Sequence, residues 1–92
     1  MITSFRSKAL AQFAKTGNAS KLNVPNVNRV RRILLALDGA QHPNEMNLPG
    51  YRFHGLKGRE QGRFAVDASG NYRITFAFDG EDAIDVDMED YH

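Results

Sequence analysis

Cysteine is absent from the 92 residues, which removes disulfides and thiolate metal sites from consideration and is compatible with a reducing compartment. Long apolar runs are absent too. No stretch of ~18 consecutive apolar residues occurs, and the N-terminal MITSFRSKALAQFAKTG lacks the apolar core of a secretory signal. A cytoplasmic protein without membrane contact is expected. The third scarcity is local: residues 1–37 contain no Asp or Glu, and residues 74–92 contain no Lys or Arg.

What fills those two regions is charge of the opposite sign. Seven cations (Arg6, Lys8, Lys15, Lys21, Arg29, Arg31, Arg32) stand in the first, and seven acids (Asp79, Glu81, Asp82, Asp85, Asp87, Glu89, Asp90) in the last, so a net charge of +1 hides a strong division. Residues 52–73 add Arg52, Lys57, Arg59, Arg63 and Arg73 against Glu60 and Asp67. Such asymmetry points to a polyanionic partner on one surface, commonly nucleic acid. Two solvated faces that balance each other across the fold are the competing explanation. The length suits one domain, residues 1–92, and a 41% hydrophobic fraction with six phenylalanines supports a modest core.

The periodicity divides the chain. ITSF fits a short strand. In SKALAQFAKTG, Leu10, Phe13 and Ala14 share one helical face and Gly17 suits the stop. Pro25 fits the first turn of a second helix, in which Val27, Val30, Ile33, Leu34 and Leu37 recur at three- and four-residue spacing until Asp38-Gly39. AQHPNEMNLPG predicts a loop, and its His42 is assigned no role. Beyond Gly50 the period becomes two. YRFHGLK predicts a strand, GREQG a turn, RFAV a strand and DASGN a hairpin. YRITFAF sets Tyr72, Ile74, Phe76 and Phe78 on one side, and AIDVDMEDYH alternates Ile84, Val86 and Met88 against Asp85, Asp87 and Glu89. The expected fold is α+β: a short N-terminal strand, then two helices packed on one face of a mainly antiparallel sheet, with the other face open.

Several residues on or near that open face carry chemistry. Arg73 lies mid-strand between Asn71 and Thr75. His54 and Lys57 flank a strand end and are three apart, so a bend near Gly55 or Gly58 is needed to bring them to one side. Alternation sets Asp90 and His92 together with Tyr91 opposite. Each has an ordinary explanation alone: a packing histidine, a turn lysine, a cross-strand arginine, a tyrosine capping the core. Taken together, HGLKG, GNYRITF and EDYH resemble the HigB branch of the RelE toxin superfamily, and the resemblance runs nearly end to end. It implies a toxin of a type II toxin–antitoxin pair that cuts messenger RNA in the ribosomal A site without metal or other cofactor. The antitoxin it implies is a HigA-like helix-turn-helix protein, through which the pair reaches its operator DNA. The positions it carries over are His54, Lys57, Asn71, Arg73, Asp90, Tyr91 and His92. One departure stands out: many relatives keep a basic residue in the hairpin before the NYR strand, where this chain has Asp67-Ala68-Ser69.

RNA supplies its own nucleophile, the 2′-OH. The protein must align it, remove and deliver protons, and hold positive charge around the phosphorus. Lys57 and Arg73 suit the charge, Arg because its fork can bridge two phosphate oxygens. His92, beside a carboxylate and Asp90, suits a general acid. His54 and Asp90 are further proton carriers, and Tyr91 suits stacking on a nucleotide. Which group is base and which acid stays open at this level. Arg29, Arg31, Arg32, Lys8, Lys15 and Lys21 form a basic surface for RNA backbone. Two alternatives are a ParE-like toxin that binds DNA gyrase and a degenerate toxin acting only within an antitoxin–DNA complex.

Overall fold

A computed structural model describes residues 1–91; His92, one of the expected site residues, lies outside the described residues. Two helices come first, α1 (Lys8–Thr16) and α2 (Val27–Gly39), followed by β1 (His54–Gly55), β2 (Phe64–Ser69), β3 (Tyr72–Asp79) and β4 (Asp82–Asp90). The strands form an antiparallel sheet in the order β1-β2-β3-β4. The N-terminal segment lies along the outer side of β4 in parallel, through bridges Ile2 to Ala83 and Phe5 to Val86. This is the expected α+β arrangement. No helix among the described residues is long and apolar enough to cross a membrane.

The helix ends follow local chemistry. Ser7 Oγ accepts the Leu10 N–H and Asn26 Oδ1 accepts the Arg29 N–H, each satisfying an otherwise orphaned first-turn donor. Gly17, at φ 77°, ends α1 by returning its N–H to Phe13 O. Pro25 stands just before the cap Asn26, outside the first turn where the periodicity put it. The loop before the sheet holds a 3-10 turn, Pro43–Met46, whose Met46 is fully buried.

The core lies between the helices and one face of the sheet. Leu10, Phe13, Val30, Ile33, Leu34 and Leu37 meet Val66, Ile74, Phe76, Ala83 and Val86. An aromatic row, Phe53–Phe64–Phe76–Phe78, continues it, with successive ring centroids 5.6, 6.0 and 6.0 Å apart.

Two irregularities change what alternation predicts. The β3–β4 register shifts between Thr75 and Ala77, at Asp85 with φ 52°, so Ala77 pairs with Ile84 and Phe78 with Ala83. This bulge sends Ala83 into the core and moves Ile84 to the other face. The strand expected over YRFHGLK is reduced to His54–Gly55, because Arg52 takes a left-handed φ of 51° and a 3-10 turn begins at Gly58.

Nor is the second face wholly open. Arg63, only 7% exposed, lies across it. Its Nη2 donates to Thr75 Oγ1 (2.8 Å) and to the Asp85 carbonyl (2.9 Å), and Nε faces Glu60 at 3.2 Å. Glu60 also faces Arg6 at 3.9 Å. The connection carrying Gly58–Glu60 is thereby fastened over half the face. Burial, helped by the neighbouring Arg6 charge, lowers the Arg63 pKa, while Glu60, Asp85 and Asp87 oppose that shift.

Candidate active site

The uncovered half of that face carries Arg73 and Tyr91, with His54 on the adjacent row. Residues in direct cross-strand register share a side of the sheet. Asp67, Arg73 and Glu89 make one such row across β2, β3 and β4, and His54, Ala65, Thr75 and Asp87 make the next. Arg73 sends Nε and Nη2 to Glu89 Oε1 at 2.6 and 2.5 Å. Tyr91 continues the alternation beyond Glu89 and its ring lies under the guanidinium, 4.4 Å from centroid to Cζ. The Tyr91 backbone N–H donates to Asn71 O (2.9 Å), fixing the end of the chain's described part to the β2–β3 hairpin. The Tyr91 hydroxyl donates to Asp67 Oδ1 at 3.2 Å, and Arg52 Nη1 stands 3.6 Å from Asp67 Oδ2. One carboxylate thus ties together an aromatic ring and a cation.

His54 is exposed on the adjacent row, and its Nδ1 lies 2.8 Å from Arg52 O. A carbonyl only accepts, so this contact puts a proton on Nδ1 and leaves Nε2 as the nitrogen facing away from it. Lys57 is exposed one turn further on, where the backbone leads into Gly58–Glu60. β1 ends at Gly55, between His54 and Lys57, and the 3-10 turn begins at Gly58. Asp90 is level with Tyr72, on the helix side, and lines a cleft of about 480 Å³ with Asn71, Asn23 and Pro25. Arg73, Tyr91 and His54 therefore share one side of the sheet, while Asp90 faces the other across Asn71. Among the described residues no three His, Asp or Glu side chains converge as a metal site would require.

The family model described as the RelE-like toxin of type II toxin-antitoxin system HigB matches residues 3–92. The chain is also similar to Endoribonuclease HigB of Proteus vulgaris, 37% identical over 92 residues that span the whole of both chains. This chain belongs to the RelE-like HigB toxins. As a toxin of a type II module, a HigB-type chain has an antitoxin as partner.

Within this HigB-type fold the basic side chains of α1 and α2 divide by use. Arg29 is taken up internally: Nη2 donates to Gly50 O (2.8 Å) and Asp67 O (3.1 Å), and its head lies 5.0 Å from the Tyr51 ring centroid. Arg31 reaches Asn28 and covers the Phe13 ring, while Arg32 and Lys8 are exposed. Sequence reasoning missed Arg52, Asp67 and Glu89 as neighbours of Arg73. For Glu89 a signal existed, since an acid opposite a strand arginine is a common pair. Arg52 carried one only in its proximity to His54. Its left-handed backbone, which costs about 1–2 kcal/mol in a non-glycine residue, is invisible without coordinates.

Proposed function

We propose that this chain is the endoribonuclease toxin of its module, a ribosome-dependent enzyme that cuts mRNA by attack of a 2′-OH on the adjacent phosphodiester, without metal. The packing of Arg73 on the Tyr91 ring, on the sheet face whose adjacent row carries His54, supports this reading. In it, His54 Nε2 takes the 2′-OH proton, the oxygen attacks phosphorus, and the P–O5′ bond breaks to leave a 2′,3′-cyclic phosphate. The departing O5′ takes a proton from His92, while Asp90, on the other side of the sheet, supports the end of β4. Lys57 and Arg73 hold the charge that builds on the phosphoryl oxygens, and Tyr91 stacks on a nucleotide next to the cut. Asn71, at the hairpin beside them, hydrogen-bonds that nucleotide.

Arg73 enters this scheme engaged to Glu89, so binding must exchange a carboxylate for a phosphate. That requirement suits an enzyme that depends on the ribosome to deliver mRNA in a fixed path. Arg31, Arg32 and Lys8 grip ribosomal RNA, while Arg29 contributes by fastening the segment before β1. Ribosome association then weakens with rising salt, and charge reversal at Arg31 and Arg32 weakens it similarly; a salt-independent affinity would count against the reading. A HigA-like antitoxin restrains the toxin in the cytoplasm and links it to operator DNA. The deciding experiment expresses the chain and maps mRNA 5′ ends with and without translation. New ends that need translation support the proposal; DNA damage with intact mRNA, the gyrase outcome, sinks it.

A further inference from the structure

The two arginines around Asp67 differ in how firmly they are held. Arg73 is 19% exposed, bound twice by Glu89 and covered on one side by Tyr91. Arg52 is 78% exposed, and its ionic contact with Asp67 is 3.6 Å, beyond hydrogen-bond length. Yet its backbone is fixed on both sides. Gly50 O accepts from Arg29, Tyr51 O accepts from Asp67 N, and Arg52 O itself receives the His54 ring. A left-handed φ at a non-glycine residue is retained where the surroundings impose it, and such positions cluster at ligand sites. The chain thus anchors the backbone of Arg52 and leaves its five-donor head loosely held at the edge of the Arg73–Tyr91 cluster.

We infer that Arg52 is a further RNA-contacting residue of this site, taking a phosphate that flanks the scissile one. This rests on the endoribonuclease reading for what the ligand is. The contact also accounts for the acidic hairpin. Asp67, level with Arg73, draws a second cation to the same row from the loop before β1. RNA meets Arg52 first, because Arg52 gives up one long contact whereas Arg73 must release two short ones.

The test measures cleavage of a defined mRNA on translating ribosomes, and in parallel sedimentation of the protein with those ribosomes, across protein and salt concentrations. Arg52→Gly removes the guanidinium and suits the left-handed backbone; Arg52→Lys keeps the charge. Arg59→Ala, which removes an exposed cation from the 3-10 turn, is the charge-matched control. Arg52→Gly should raise the half-saturating concentration about tenfold, with the saturating rate within about twofold and a log–log salt slope shallower by about one. Arg52→Lys should recover part of the loss, and Arg59→Ala should show none. Wild-type half-saturation and salt slope in Arg52→Gly, or the same shift in Arg59→Ala, overturn the inference. The two readouts separate the claims. Intact mRNA with Arg52-dependent sedimentation removes the nuclease reading and keeps the contact; cleavage with Arg52-independent affinity does the reverse.

Discussion

The two halves of the helix-free sheet face use arginine in opposite ways. In the closed half, Arg63 is a bolt: it is buried, and it joins Thr75, the Asp85 carbonyl and Glu60 across three parts of the chain. In the other half, Arg73 and Arg52 are held by carboxylates at the surface, with Tyr91 between them. The same side chain is thus spent on cohesion in one place and kept exchangeable for an anion in the other. Exposure decides which. A buried guanidinium cannot leave its partners without leaving polar groups unpaired, whereas Arg52 is exposed and loosely held, and Arg73, though tightly bound, has its carboxylate partner at the surface.

The strongest way to break this contrast is Arg63→Ala. It should cost about 1–3 kcal/mol in urea unfolding because it leaves Thr75 Oγ1 and the Asp85 carbonyl unpaired; a variant as stable as wild type would show that the closed half is not a fastening. Arg73→Ala should have the mirror effect, lowering the saturating cleavage rate about 10²–10³-fold while moving stability by about 1 kcal/mol or less. The bulge that separates the halves is tested by a pair of substitutions followed by thermal or urea melting. Ala83→Leu overfills the core and should cost about 1–3 kcal/mol, while Ile84→Ser, on the other face, should cost less than about 1 kcal/mol. The reverse order would restore plain alternation. The smallest effect is expected of Glu89→Gln. Loosening the hold on Arg73 should lower the half-saturating concentration about two- to threefold, the scale of an exposed ion pair.

Local patterns made much of this architecture readable. Gly17, the apolar spacing of α2 and the alternation Tyr72–Ile74–Phe76 each depend on residues within one turn or one strand. What escaped depends on distant partners. The inversion of Ala83 and Ile84 follows from the Asp85 backbone, which sits against Ser4 at the other end of the chain, Asp85 N–H donating to Ser4 Oγ at 2.8 Å. Met46 is buried from within a loop whose prolines and asparagines signal only a turn. At the site, Arg73 and Tyr91 could be named from the motifs. Their true neighbours could not: Asp67 read as a departure, although the fold makes it the carboxylate that gathers Tyr91 and Arg52. Alternation counted along β4 did separate Tyr91 from Asp90, but only the register against Arg73 shows that Tyr91 lies with the arginine and Asp90 with the cleft beyond Asn71.

The placement of β4 between β3 and the N-terminal segment has a consequence for biosynthesis. Residues 2–6 are made about 80 residues before the edge they pair with, Ala83 to Val86. Until that edge is free to pair, Arg63 lacks the Asp85 carbonyl, and Arg73 lacks Glu89 and the Tyr91 ring. A growing chain therefore carries its cations before the Arg73–Glu89–Tyr91 cluster can form, and the order of the strands makes that cluster one of the last parts of the fold to assemble.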